Sequence, residues 1–219
     1  MKIIASLLLT ALMIVGITPI TQAGEQSNVR VIHASPDAPA VDVYVDGKPA
    51  FEGASFQSAT DYVSVAPGDR KIQVFPASAG GKGEPVLEKT LTIGSGKDYS
   101  VVALGKLSDL SLLVLEDEKG STEKAGIRAV HASPDAPAVD IAVKGGDPII
   151  SDLSFGNASD YTMVDSGTYD LEIRPAGSSE SVLDIPNIPV ESGQNYTAIA
   201  VGFLEGDPGL NVVLLKDGK

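Results

Sequence analysis

Ten consecutive residues of this chain occur twice. The segment His33-Ala34-Ser35-Pro36-Asp37-Ala38-Pro39-Ala40-Val41-Asp42 recurs letter for letter as His131 to Asp140, at an offset of 98. A run of that length does not repeat by chance, so the chain is one unit written twice. The pairing continues: Phe56 with Phe155, Asp61-Tyr62 with Asp160-Tyr161, Pro76-Ala77 with Pro175-Ala176, and Gly105 with Gly202. It ends with Leu110–Asp117 against Leu210–Asp217. Each copy is then a complete module of about 95 residues, a size at which a domain closes its own core. The expected boundaries are 24–117 and 126–219, joined by the polar linker 118–125, which lacks apolar periodicity.

Within a copy the pattern is all β. Val29–His33, Val41–Val45, Tyr62–Val65, Lys71–Phe75, Val86–Ile93, Tyr99–Leu104 and Leu110–Leu115 are short runs rich in Val, Ile, Leu and Tyr. Gly, Pro, Asp and Ser punctuate them, and Pro67-Gly68-Asp69 reads as a hairpin turn. No segment beyond the N-terminus carries a helical period. About seven short strands per copy argue for a sandwich, with a closed barrel as the competing architecture. Gly96-Lys97-Asp98-Tyr99 and Gly193-Gln194-Asn195-Tyr196 each enter a late apolar strand. That arrangement looks like the tyrosine corner of immunoglobulin-like sandwiches, where the hydroxyl bonds to backbone. The expected fold is therefore two tandem antiparallel immunoglobulin-like β-sandwiches behind an N-terminal signal peptide.

The signal peptide is expected at residues 1–23. Met1-Lys2 is a short positive start and Ile3–Ile17 is an uncharged apolar run. Pro19 follows, then Thr21-Gln22-Ala23, with small residues at the positions a signal peptidase reads. A stable membrane span needs about 20 apolar residues, so this run fits a cleaved leader better than a retained anchor. No cysteine follows it, which removes a lipid anchor, and the whole chain has none. Disulfides, thiolate-held zinc, iron–sulfur clusters and cysteine nucleophiles are thereby excluded. The expected location is secreted or extracellular, with cell-wall association. The formal charge is −13, which argues against nucleic acid as a partner, because phosphate contacts need a basic surface.

The repeated decapeptide is the candidate site. His33 continues the apolar face of Val29 and Val31. Pro36 and Pro39 stop ladder donation, Asp37 takes a turn position between them, and Asp42 opens the next strand. His33, Asp37 and Asp42 thus flank one proline-rich corner, and His131, Asp135 and Asp140 flank the other. A structural reading has Asp37 capping its own turn and His33 bonding a nearby carbonyl or carboxylate. A second reading makes each corner a ligand set for Ca²⁺ or Zn²⁺, and hence a metal-binding protein or metal-dependent hydrolase. The spacing His-x3-Asp-x4-Asp matches no strong metal pattern. A third reading is a solvent-facing recognition loop with the two histidines as pH sensors.

Catalytic patterns are missing. Ser35 follows His33, but no G-x-S-x-G elbow exists. Gly94-Ser95-Gly96-Lys97 lacks the first glycine and the Ser/Thr of a phosphate loop. No tryptophan and few aromatics disfavour a sugar cleft. The expectation is not an enzyme, with no cofactor required.

Val29–Gly47 (VRVIHASPDAPAVDVYVDG) strongly resembles the opening signature of the domain-of-unknown-function family 4397, and Ile127–Gly145 resembles a second copy. The resemblance implies an exported bacterial or archaeal β-domain, often in tandem and surface-associated, with no catalytic residues to carry over. The second copy departs from the first where Tyr44 becomes Ala142 and Asp46 becomes Lys144. The composite expectation is a non-enzymatic binding or structural module whose partner is a cell-wall polymer or another surface protein, with no stable membrane span after cleavage.

Overall fold

The computed structural model describes residues 24–120 and 123–218. The expected signal peptide, residues 1–23, lies outside them. The first copy holds β1 (Ser27–His33), β2 (Val41–Val45), β3 (Lys48–Ala54), β4 (Val63–Val65), β5 (Gly68–Pro76), β6 (Leu87–Ile93), β7 (Asp98–Leu104) and β8 (Ser111–Asp117). The second repeats the order with β9 (Ala125–His131), β10 (Val139–Val143), β11 (Pro148–Leu153), β12 (Thr162–Val164), β13 (Gly167–Pro175), β14 (Leu183–Val190), β15 (Asn195–Val201) and β16 (Asn211–Asp217). Each copy folds into two four-stranded sheets, ordered β4-β1-β7-β8 and β3-β2-β5-β6 in the first, β12-β9-β15-β16 and β11-β10-β13-β14 in the second. The fold is all-β, and the sheets stack as sandwiches rather than closing into a barrel.

Pairing is antiparallel except at β1–β7 and β9–β15, which run parallel. Parallel neighbours need a long crossover, and the segment from β2 to β6 supplies it, with β2, β3, β5 and β6 building the opposite sheet and β4 returning to pair with β1. The strand β3 is the one the sequence pattern does not announce. Lys48-Pro-Ala-Phe-Glu-Gly-Ala54 offers few apolar residues. It buries Phe51 and Ala54, and its pairing with β2 slips register twice. Tertiary pairing overrides its weak propensity.

Strands β1, β7, β9 and β15 are buried on both faces. Val29, Val31, Val101 and Ala103 point into the first copy's own core beside Val41, Val43 and Ile72. Their neighbours Ile32, Ala34, Val102 and Leu104 point the other way, into a cluster shared with Val130, Ala132, Ile199 and Val201 of the second copy. The inner sheets of the two copies therefore pack face to face. This explains why these strands read as near-continuous apolar runs rather than clean alternation.

One non-apolar patch interrupts that shared face. Arg30 and Arg128, each in an apolar strand, are only 4% exposed. Arg30 reaches across to the second copy, where Nη1 donates to the Lys216 carbonyl (2.7 Å) and Nη2 pairs with Asp217. Arg128 reaches the opposite way, donating from Nη2 to Asp117 (2.5 Å) and from Nη1 to the Glu116 carbonyl (2.9 Å). The remaining acceptor capacity is filled locally. Ser100 and Tyr62 hydroxyls donate to Asp117 Oδ2, both at 2.6 Å, and Thr197 and Tyr161 do the same for Asp217 at 2.6 and 2.7 Å. Each guanidinium also lies over its own tyrosine ring, 4.8 Å and 4.7 Å from the centroid. Burial, and after it the adjoining carboxylates, push both phenols far up, so they stay protonated donors.

The shared face has a direction. The charge cluster sits level with the start of β1 and the end of β8, whose Asp98↔Asp117 pairing marks that end. Gly24 lies there, against Pro67 and Ser95, and so does Gly218, whose N–H meets the Tyr62 hydroxyl at 3.3 Å. The loops that follow β1 and β9 open at the other end, where Lys106 lies over the Phe203 ring and Asn211 donates to Gln57.

Removing one partner of a buried pair strands a charge. Asp217→Ala is expected to destabilise the chain by about 3–5 kcal/mol in urea unfolding. Glu191→Ala, at the exposed Lys216 pair, is expected to cost less than about 1 kcal/mol.

Candidate functional site

The repeated decapeptide forms a corner at the end of β1, and again at the end of β9. The Ala34 N–H bonds the Ala103 carbonyl (2.7 Å), and the Ala77 N–H bonds the Ala40 carbonyl (2.8 Å), so the loop is pinned where it leaves one sheet and where it joins the other. His33 is 1% exposed. Its backbone bonds residues 57 and 58, and its Nε2 lies 3.0 Å from the Pro39 carbonyl. A carbonyl only accepts, so Nε2 is the donor of this bond. His131 repeats this with Pro137 at 2.9 Å. Neither Nδ1 has a hydrogen-bond partner among the described residues. The His131 ring also meets Phe155 edge-on, with centroids 6.1 Å apart.

The carboxylates point elsewhere. Asp37 accepts the Leu107 N–H at 2.7 Å, and Asp135 accepts the N–H groups of Leu204 (2.7 Å) and Glu205 (3.1 Å). They tether the loop between β7 and β8, or β15 and β16, to the signature corner. That loop begins at Gly105 or Gly202, both at positive φ, where a Cβ would collide with the backbone carbonyl of Asp109 or Gly209. Asp42 accepts the Gly53 N–H at 2.8 Å. Asp140 accepts those of Asp152 (2.8 Å) and Gly177 (2.9 Å). They lie on the outer face of their sheets and hold the irregular β3 and β11 edges in register.

Within each corner the three groups thus serve three separate backbone targets. Among the described residues no group of three or more His, Asp or Glu side chains gathers as a metal would require. The tyrosine corners form as the sequence suggests: Gly94 N–H donates to Tyr99 Oη and Glu191 N–H to Tyr196 Oη, each at 3.1 Å. The sequence reading passed over Arg30, Arg128, Asp117 and Asp217. Their signal was present, because an arginine inside an otherwise apolar strand (VRVIH, IRAVH) recurs in both copies alongside a matched strand-ending aspartate.

A cleft lies where the copies meet. It measures about 510 Å³ and is lined by Glu116, Glu118, Arg128, Asp160 and Tyr161 among others. Its central charges are already matched: Arg128 by Asp117, and Glu116 by Lys97 at 2.6 Å.

A family model described as Domain of unknown function (DUF4397) matches residues 27–142 and again residues 125–219. The chain belongs to this family. Both DUF4397 matches contain a signature corner with its histidine. No curated protein matches the chain. Among solved structures, the chain is similar to the CBMbc module (family CBM26) from Eubacterium rectale Amy13K, solved in complex with maltoheptaose. Identity is 14% over 88% of this chain and 98% of that one, with a TM-score of 0.28. It is also similar to candidate cell adhesion proteins from Parabacteroides distasonis and Bacteroides fragilis. The first is 12% identical over 88% of this chain and 98% of its own, with a TM-score of 0.24. The second is 9% identical over 88% and 97%, with a TM-score of 0.20. Superpositions this loose assign no ligand to this DUF4397 chain.

His131 gives its corner a pH dependence. Burial pushes the His131 imidazolium down more strongly than its bond to the Pro137 carbonyl pulls it up, so its value lies below the ordinary 6.5. The unfolded chain therefore binds the proton more readily. The stability contributed is complete above the unfolded value and is lost as pH falls through it toward the folded one. Burial also pushes Asp135 up, but its N–H donors outweigh that and hold it below the usual carboxylate value. The melting temperature is expected to fall between about pH 7.5 and pH 5.5. His131→Gln keeps an amide nitrogen for the Pro137 carbonyl but cannot titrate, so it should show a smaller fall in the same series of melts.

Proposed function

We propose that this chain is a non-enzymatic, extracellular or cell-envelope binding or structural module, made of two modules bounded at residues 24–117 and 126–219. One observation carries the reading. The histidine and aspartate side chains of both signature corners each bond a backbone group, which supports a role as fasteners of loops. Two rigid loop sets then stand at one end of the stack, where a repetitive surface polymer could engage both and gain from effective concentration. The leader-like segment at residues 1–23 supports export. No helix among the described residues is long and apolar enough to cross a membrane. The partner we favour is a cell-wall polymer or another surface protein. Because the chain carries a net −13, an anionic polymer would need divalent cations to bridge it.

The reading is tested by co-sedimentation of the purified chain with an insoluble bacterial cell-wall preparation, in EDTA and in millimolar Ca²⁺. Retention that rises with Ca²⁺ and falls with salt is expected; a chain that stays in the supernatant throughout would refute wall binding. Thermal melts separate this from the metal reading. His33→Ala/His131→Ala should lower the melting temperature equally in EDTA, Ca²⁺ and Zn²⁺. A metal-dependent rise of several degrees in the wild type, absent in the double variant, would instead make the corners metal sites.

A further inference from the structure

The face between the copies is built from equivalent residues on both sides. Arg30 answers Asp217 while Arg128 answers Asp117, so each copy contributes one guanidinium and one carboxylate to the same cluster. Each guanidinium is also near the aspartate of its own copy, at 3.7 Å for Arg30–Asp117 and 3.6 Å for Arg128–Asp217. The four charges alternate around a local two-fold axis. The apolar part of the face follows the same symmetry. Ile32 and Val102 in the first copy correspond to Val130 and Ile199 in the second, so a methylene has moved from one strand to the next while the total volume is kept. Leu115 corresponds to Leu215. A surface that meets its own equivalent across a two-fold axis is self-complementary.

We propose that this face docks a second copy of its own repeat. A first copy pairs with the first copy of another chain through reciprocal Arg30–Asp117 contacts, and a second copy pairs with a second copy through Arg128–Asp217. In the intact chain the short linker holds the two faces at high effective concentration, so the intramolecular pair prevails. When the faces part, the same surface joins separate chains.

The test begins from the folded full chain. A specific protease recognition sequence is inserted at Ser121, between β8 and β9, and the purified protein is cut there. The nicked protein is taken through mild urea and back to buffer, and native mass spectrometry reads the pairings. Three are expected: first with second, first with first, and second with second. Recovery of the mixed pair alone would overturn self-complementarity, and free halves alone would overturn the interface itself. The variant Arg30→Asp/Asp217→Arg sharpens the result. Across the interface it preserves opposite charges in the mixed pair, while it sets Asp against Asp117 in one like pair and Arg against Arg128 in the other; the like-charge neighbours it makes within each copy are common to all three pairs. The like pairs should then fall by about tenfold or more relative to the mixed pair. Like pairs that persist at the wild-type ratio would overturn the charge pairing. If the variant fails to fold, the wild-type nicking experiment decides alone.

Discussion

A guanidinium buried between two β-sheets has to find its counter-charge within hydrogen-bonding reach, and Arg30 and Arg128 find theirs only in the opposite copy. Much of the architecture follows from that requirement. An arginine on the outer face of an isolated sandwich would point into water and need no partner. Here the face around it is apolar, so it must be covered, and the cover must bring a carboxylate. Asp117 and Asp217 do so only because they end β8 and β16, next to the starts of β7 and β15. Tyrosine and hydroxyl side chains then fill the acceptor positions the arginines leave open. A cluster satisfied this completely fixes how the copies sit far more sharply than apolar packing would, because a small slide would cost several charge-assisted bonds at once.

The signature corner follows a second, independent logic. Its histidine and aspartates look like chemistry when read as letters, since all three residue types serve as metal ligands and proton carriers. In three dimensions each is turned to a different stretch of backbone. Asp37 and Asp135 fasten the loop before the last strand, Asp42 and Asp140 fasten the bulged edge, and the histidines close the corner on itself. Repetition of ten letters matches how many backbone groups one short segment has to satisfy in each copy.

What was legible in the sequence divides along the same line. The duplication, the β character and the tyrosine corners all rest on local spacing, and local spacing survives in a string of letters. The weak strand β3 did not, because a bulged edge held by Asp42 and one phenylalanine has no period to read. The meeting of the copies did not either. Runs such as Val101–Leu104 are apolar on both faces, yet nothing in the letters says whether the second face meets a twin, a ligand or another chain. The arginine inside each apolar strand was the clue. It becomes meaningful only when paired with an aspartate of the other copy, 187 residues away for Arg30 and 11 for Arg128.

The direction of the stack carries a mechanical consequence. Residues 24 and 218 lie at the same pole, one just before β1 and one just after β16, and Gly218 adjoins the arginine–aspartate cluster through the Tyr62 hydroxyl. A pull applied between those two points would not stretch the sandwiches end to end. It would pry the inner sheets apart starting at the cluster, like a hinge opened from its clasp. The signature loops, at the far pole, would be the last part of the shared face to feel the load.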